Sequence, residues 1–147
     1  MGAVMGLEDL KVVFPCHPRT ENRLREIGLY EKVSKAKNIQ LVEPIGYYRM
    51  LNLITNARMV FTDSGGMQKE AFWLKTPCIT LRDNTEWVET VNVGFNMLVG
   101  SDPTLIRKAA TRVLDEDFED KFSEAQNPYD FGGATNRILD VLNDYFN

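Results

Sequence analysis

The densest chemistry in the chain lies in one stretch: Thr62-Asp63-Ser64-Gly65-Gly66-Met67-Gln68-Lys69-Glu70-Ala71. It follows a short apolar run and opens a helix candidate, so it falls where a strand gives way to a helix. In an open α/β sheet, ligands bind outside the carboxyl ends of the strands. Two glycines strip side chains from the turn and let a ligand come close to the backbone. The free N–H groups of a helix's first turn, with the helix dipole behind them, favour an anion such as phosphate. The Ser64 hydroxyl can add a donor. Glu70 stands one to two turns further along. A carboxylate there would repel a phosphate directly beside it, but can accept two hydrogen bonds from a neighbouring ribose diol. Phosphate on amides and sugar on an acid is the chemistry of nucleotide binding.

The same residues admit a plainer account. Ser64 can simply cap the helix, the glycines can make a tight turn, and Glu70 can be solvated. The pattern is neither a Walker A motif nor a GxGxxG turn. Other groups stand beside it. His17 follows a strand's end and can donate to phosphate, or be an ordinary loop histidine. Arg82 can counter a phosphate or pair with Asp83 or Glu86. Cys16 and Cys78 lie in or beside apolar strands and read as small core residues. Phe72, Trp73 and Leu74 run along the motif helix and read as core. Asp115, Glu116, Asp117, Glu119 and Asp120 interleave with Phe118, Lys121 and Phe122, which is a solvated helix face rather than a metal cluster.

The elements that must position these groups alternate regularly. Apolar runs at 12–14, 39–42, 59–62, 78–81 and 97–99 are short and bounded by turn residues. Strands of this kind are buried on both faces, which predicts a parallel sheet covered by helices. Helices are expected at Thr20 to Ile27, Tyr47 to Asn56, Gly65 to Leu74 and near Glu86 to Val91. Ser101 or Asp102 can cap a helix beginning at Pro103 and running to Leu114, with Leu105, Ile106, Ala109, Ala110 and Val113 on one face. A charged helix follows over 115–125, is broken at Asn127-Pro128, and Gly132-Gly133 precedes a last amphipathic helix. The expectation is one α/β Rossmann-like domain spanning 1–147, incomplete, with C-terminal helices from about residue 102.

Composition removes several alternatives. The 147 residues fit one domain, and 44% hydrophobic with 26% charged residues gives a core rather than a disordered chain. With 17 basic and 21 acidic residues the net charge is −4, which argues against a nucleic-acid or anionic-membrane surface. No apolar run reaches a membrane span, and the start carries Glu8 and Asp9 rather than a secretory leader. Two cysteines and one histidine make neither a disulfide framework nor a zinc site. A reduced, cytoplasmic protein is expected.

Taken together, the motifs resemble one family. Asp63-Ser64-Gly65-Gly66-x-Gln68-x-Glu70-Ala71 followed by Pro77-Cys78-Ile79-Thr80-Leu81-Arg82-Asp83-Asn84-Thr85-Glu86 is similar to the non-hydrolysing UDP-N-acetylglucosamine 2-epimerases. So are Phe14-Pro15-Cys16-His17-Pro18-Arg19-Thr20, Glu43-Pro44-x-x-Tyr47, Val99-Gly100 and Asn127-Pro128-Tyr129, in the family's order. The resemblance implies the glycosyltransferase-B architecture, of which this chain matches the C-terminal part. It implies an isomerase of cell-surface polysaccharide biosynthesis, needing no NAD and no metal. Such enzymes interconvert UDP-GlcNAc and UDP-ManNAc by eliminating UDP and adding it back to a glycal. Ser64, Gly65 and Gly66 would hold the diphosphate and Glu70 the ribose. His17 matches a histidine that in bacterial members helps contact a second, regulatory UDP-GlcNAc. The acid/base groups lie in the family's N-terminal domain. The first strand of the C-terminal domain carries a His-Arg-Arg-Glu motif not found here. The catalytic residues are therefore unassigned, and this chain alone is expected to bind UDP weakly at most and not to epimerise.

Three positions depart from the family pattern: Ile45 where Gln is frequent, Met50 where Phe faces the uracil, and Trp87 where Arg follows Thr85-Glu86. Met50 can still cover a base, and Trp87 can stack but not carry charge. The expected ligand is UDP or a UDP-N-acetylhexosamine. A separate chain carrying the N-terminal half is a candidate partner, and so is a second copy, since a partial sheet exposes its edge. Two rival readings remain: a glycosyltransferase of the same architecture, and a non-catalytic module that associates through its half-sheet and helices.

Overall fold

A computed structural model of the chain describes residues 1–116, 118, 129 and 133–146. In chain order the elements are α1 (Gly2–Met5), β1 (Val12–Pro15), α2 (Pro18–Glu26), α3 (Tyr30–Ser34), β2 (Ile39–Val42), α4 (Tyr47–Thr55), β3 (Val60–Thr62), α5 (Gly65–Trp73), β4 (Cys78–Thr80), α6 (Val88–Asn92), β5 (Asn96–Leu98), α7 (Pro103–Asp115) and α8 (Ala134–Phe146). The alternating pattern is the Rossmann-like parallel architecture expected. Two short helices were not anticipated. Neither α1, at four residues, nor α3, at five, offers enough turns for apolar periodicity to register.

The five strands form two parallel ladders, β1–β2 and β3–β4–β5. The bonds from Val12 N to Asn38 O at 2.8 Å and from Cys16 N to Val42 O at 2.9 Å fix the phase of β1. Alternate residues face β2, so Pro15 falls on the opposite edge, where its missing N–H costs no ladder bond. In the larger ladder the register aligns Thr62, Thr80 and Leu98. The chain therefore leaves all three strands along one edge. The turn at 63–64, the loop 81–87 and the Val99–Gly100 corner are side by side for that reason.

One core joins both ladders. Val33, Ile39, Phe72, Ile79, Phe95 and Ala110 are buried in it, with Phe14 and Phe61 packed against them. Helix α1 docks there through Ala3 and Val4, and Asn38 Nδ2 ties its end down by donating to Val4 O at 3.2 Å and Leu7 O at 3.0 Å. A smaller cluster of Ile54, Ala71 and Cys78, with Met50, Val60, Met67 and Leu74, fixes α4 against α5.

Helix ends follow their residues. Asp102 caps α7, accepting from Thr104 N at 2.6 Å and Leu105 N at 3.2 Å, with Pro103 at the first turn. Its buried face is Ile106, Ala109, Ala110 and Val113. Leu105, expected on that face, is 45% exposed, because it lies one residue, about 100° round the helix, from Ile106. Most of the charged helix expected over 115–125, and the break at Asn127-Pro128, lie outside the described residues. Among the described residues no helix is long and apolar enough to cross a membrane.

Candidate functional site

Helix α5 begins as the sequence requires. Ser64 is its N-cap, in extended conformation, and its hydroxyl accepts from Met67 N at 3.4 Å. Ser64 N donates in turn to Thr62 Oγ1 at 3.0 Å, which anchors the turn to the end of β3. Gln68 N closes the first helical bond on Ser64 O at 3.2 Å. The N–H groups of Gly65 and Gly66 have no place in the helix's own ladder, as geometry dictates for a first turn. The cap reading of Ser64 thus holds in the structure, and it coexists with an amide-rich mouth.

The loop after β4 lies across this turn. A Cβ built on Gly65 would collide with Glu86 Oε1 and come within 3.0 Å of Glu86 Cδ. Glycine at 65 therefore leaves the space that the Glu86 side chain fills. Arg82 pairs with Glu86, Nη1 to Oε2, at 3.2 Å, and reaches Asn84 Oδ1 at 3.3 Å. Asp83, the other partner considered for Arg82, lies instead against Gly100, at φ +54°, where an added Cβ would meet its Oδ1.

A buried polar network holds the loop to the helix. Gln68 is fully buried. Its Oε1 accepts from Thr85 Oγ1 at 2.6 Å and from Asn96 Nδ2 at 2.9 Å. Asn96 also accepts from Thr80 Oγ1 at 2.6 Å and donates to Thr90 Oγ1 at 3.1 Å. Gln68 Nε2 has no hydrogen-bond partner among the described residues. Sequence reasoning treated Gln68 only as a motif letter. Its signal was available: a glutamine between Met67 and Ala71 on a helix's core face must be satisfied inside.

Trp87 is bonded to the glycine turn. Its indole Nε1 donates to Gly65 O at 2.8 Å. Lys69 Nζ sits 4.3 Å from the Trp87 ring centre, 4.8 Å from Tyr129 and 5.0 Å from Trp73. Trp73, expected in the core with Phe72 and Leu74, is 47% exposed and serves as one wall of this aromatic box. Phe72 is buried.

Glu70 is half-buried and faces α4. Partial desolvation first, then the charge of the neighbouring Glu70 carboxylate, pushes the Tyr47 phenol above its ordinary pKa. Tyr47 is 58% exposed and lines a cleft of about 580 Å³ with Glu43, Pro44, Ile45 and Arg49. Met50 packs beside Ile54 and Met67 at the α4–α5 contact. His17 is exposed and caps α2, its Nδ1 accepting from Arg19 N at 3.2 Å. Ser64, Gly65, Gly66, Arg82 and Trp87 thus converge, with Glu70 along the same helix. His17 belongs to the β1 end, with no contact to them among those the structure gives. Cys16 and Cys78 are buried and free.

Parallel strands ending in step, with a capped glycine turn at their carboxyl edge, define a Rossmann-like α/β domain. Residues 1–143 match the model of the family described as UDP-N-acetylglucosamine 2-epimerase, and the chain belongs to that family. It is 43% identical over 136 residues to a UDP-N-acetylglucosamine 2-epimerase homolog of Methanococcus maripaludis, covering 90% of this chain and 36% of that protein. It is 40% identical over 131 residues to the UDP-2,3-diacetamido-2,3-dideoxy-D-glucuronate 2-epimerase of Pseudomonas aeruginosa, covering 89% and 34%. The crystal structure of the Methanocaldococcus jannaschii UDP-GlcNAc 2-epimerase in complex with UDP-GlcNAc and UDP superposes with TM-score 0.80 at 42% identity, over 95% of this chain and 37% of that one. The chain therefore spans little more than a third of the length of the relatives it matches, and corresponds to their C-terminal part.

Proposed function

We propose that this chain supplies the UDP-binding half of an epimerase acting on a UDP-2-acetamido sugar, as one incomplete domain with its terminal helices from about residue 102. The amides of Gly65 and Gly66 and the Ser64 hydroxyl receive the diphosphate, Glu70 receives the ribose, and Arg82 adds charge. One observation carries the reading. The glycine turn lies at the common carboxyl edge of β3, β4 and β5, with Glu70 half-buried one helical repeat behind it. A relative 42% identical over nearly all of this chain has been solved with UDP-GlcNAc and UDP, which supports the ligand class.

Elimination of UDP puts charge on the departing diphosphate. Fixed amide donors at a helix end stabilise that charge without reorganising. The proton at the sugar's C2 needs an acid/base group, and the family resemblance puts that group in the N-terminal part, beyond the matched region. Neither a metal nor NAD enters the scheme. The sugar is of the 2-acetamido type, and the Pseudomonas relative's name extends that class to a diacetamido acid. The protein acts in the cytoplasm, with its complementary half on the same or a separate chain.

The test is a calorimetric or NMR titration of the 147-residue chain with UDP, uridine and pyrophosphate, alongside incubation with UDP-GlcNAc. UDP is expected to bind weakly and more tightly than either fragment, with no UDP-ManNAc formed. Indifference to UDP overturns the reading; robust turnover by this chain alone overturns the division of labour. A second reading, an association module, draws on α8, where Ile138, Leu139, Val141 and Leu142 are all exposed. A stable homodimer with no UDP affinity would favour it.

A further inference from the structure

We propose that Glu86 is a displaceable occupant of the anion site: its carboxylate rests over the first turn of α5, and a ligand's diphosphate takes its place while Arg82 transfers from Glu86 to the phosphate. The inference rests on the reading that the turn at Ser64–Gly66 receives a diphosphate. It begins from Gly65, whose missing Cβ leaves the space that Glu86 Oε1 fills, with Glu86 Cδ 3.0 Å from the Cβ position. An acid at that point has a physical reason to be there. The positive end of the helix dipole attracts negative charge, so the carboxylate is drawn toward the turn by the field of α5 while its one hydrogen-bond partner among the described residues is Arg82, which leaves the first-turn amides open to a ligand anion.

The backbone on either side of Glu86 is pinned, so the exchange needs only a side-chain swing. Thr85 Oγ1 donates to buried Gln68 Oε1 at 2.6 Å and accepts from Trp87 N at 3.1 Å. Trp87 Nε1 holds Gly65 O at 2.8 Å, and its ring lies 4.3 Å from Lys69 Nζ. Both neighbours of Glu86 are thus tied to the very helix it covers. Glu86 itself is held outward only by Arg82, at 3.2 Å, in a pair whose side chains are 36% and 51% exposed. Solvent-exposed pairs of this kind are weak and open readily. A diphosphate carries more charge than one carboxylate and offers oxygens in the geometry a guanidinium grips with two parallel bonds. It wins both the turn and the arginine. Uridine, lacking phosphate, has no means to displace Glu86. The device makes the site select for the charged end of a nucleotide.

The experiment is calorimetry on the full chain with UDP and with uridine, for the unaltered protein, Glu86→Gln and Arg82→Ala. Glu86→Gln keeps the shape, removes the competing charge and frees Arg82. Its UDP affinity is expected to rise about two- to fivefold, the scale of one weak exposed ion pair, with uridine affinity unchanged. Arg82→Ala is expected to lower UDP affinity. UDP binding to the unaltered chain that stays equal or weakens in Glu86→Gln overturns the displacement role and leaves the diphosphate site standing. Absence of UDP affinity in both the unaltered chain and Glu86→Gln overturns the diphosphate site and the displacement role together. The Trp87 indole N–H resonance serves as the control for an intact loop, and is expected to persist in Glu86→Gln.

Discussion

The Trp87 indole N–H donates to the Gly65 carbonyl across 2.8 Å, joining the loop after β4 to the first residue of α5. Trp87 is thereby a clamp on the glycine turn. The bond sets the attitude of the first-turn amides, because Gly65 has no side chain with which to hold itself.

Trp87→Phe keeps most of the ring and its place beside Lys69 while removing the donor. A net hydrogen bond is worth about 1 kcal/mol, so the melting temperature should fall by about 3 °C for a domain of this size. UDP affinity should fall with it, as the turn loses its fixed orientation. An unchanged melting curve would show that the clamp contributes nothing.

Gln68 organises the inside of the site. Gln68→Leu retains bulk but leaves Thr85 Oγ1 and Asn96 Nδ2 without their shared acceptor. Thr85 Oγ1 loses its acceptor and Asn96 Nδ2 keeps only Thr90 Oγ1, which should cost about 1–3 kcal/mol in urea unfolding. Combining Gln68→Leu with Thr85→Val tests the wiring. The double variant should lose less than the sum of the single losses, since each removes the other's unpaired partner.

The sequence exposed some of this and hid the rest, for physical reasons. Strand runs, the Pro103 start of α7 and the Ser64 turn were legible because each depends on local residue types. The split into two ladders was not, since pairing is a long-range property that periodicity does not encode. Glu70 could be singled out from its spacing, but its contact with Tyr47 joins residues from two helices and only the fold shows it. Met50 and Trp87 are candidate ligand contacts by sequence position alone; that Met50 also packs on the Ile54–Ala71–Cys78 cluster and that the Trp87 indole bonds Gly65 O are features only the fold shows.

Glu70 gives a prediction with two independent readouts. In Glu70→Ala, UDP affinity should fall about tenfold while pyrophosphate affinity stays put, because a ribose contact is lost and no phosphate contact is. In the same variant the Tyr47 phenol should titrate lower than in the unaltered protein, by ultraviolet difference spectroscopy. The drop should be partial, since desolvation, the larger cause of its raised pKa, remains. Equal losses for UDP and pyrophosphate would remove Glu70 from the ribose.

Cys78 predicts how stability responds to alkali. Burial between β3 and β5 pushes its thiol from 9.0 up to about 11, partly offset by the contact with Thr80 Oγ1 at 3.6 Å. The folded state holds the proton more tightly than the unfolded chain does. This contribution is therefore complete below about pH 9, declines as pH rises, and is spent by about pH 11. Two pKa units correspond to about 2–3 kcal/mol. Urea unfolding measured across that window should show the decline in the unaltered protein. Cys78→Ala, less stable at neutral pH for its lost packing, should show a flatter dependence. Parallel curves for the two proteins would mean that the buried thiol does not set the alkaline limit.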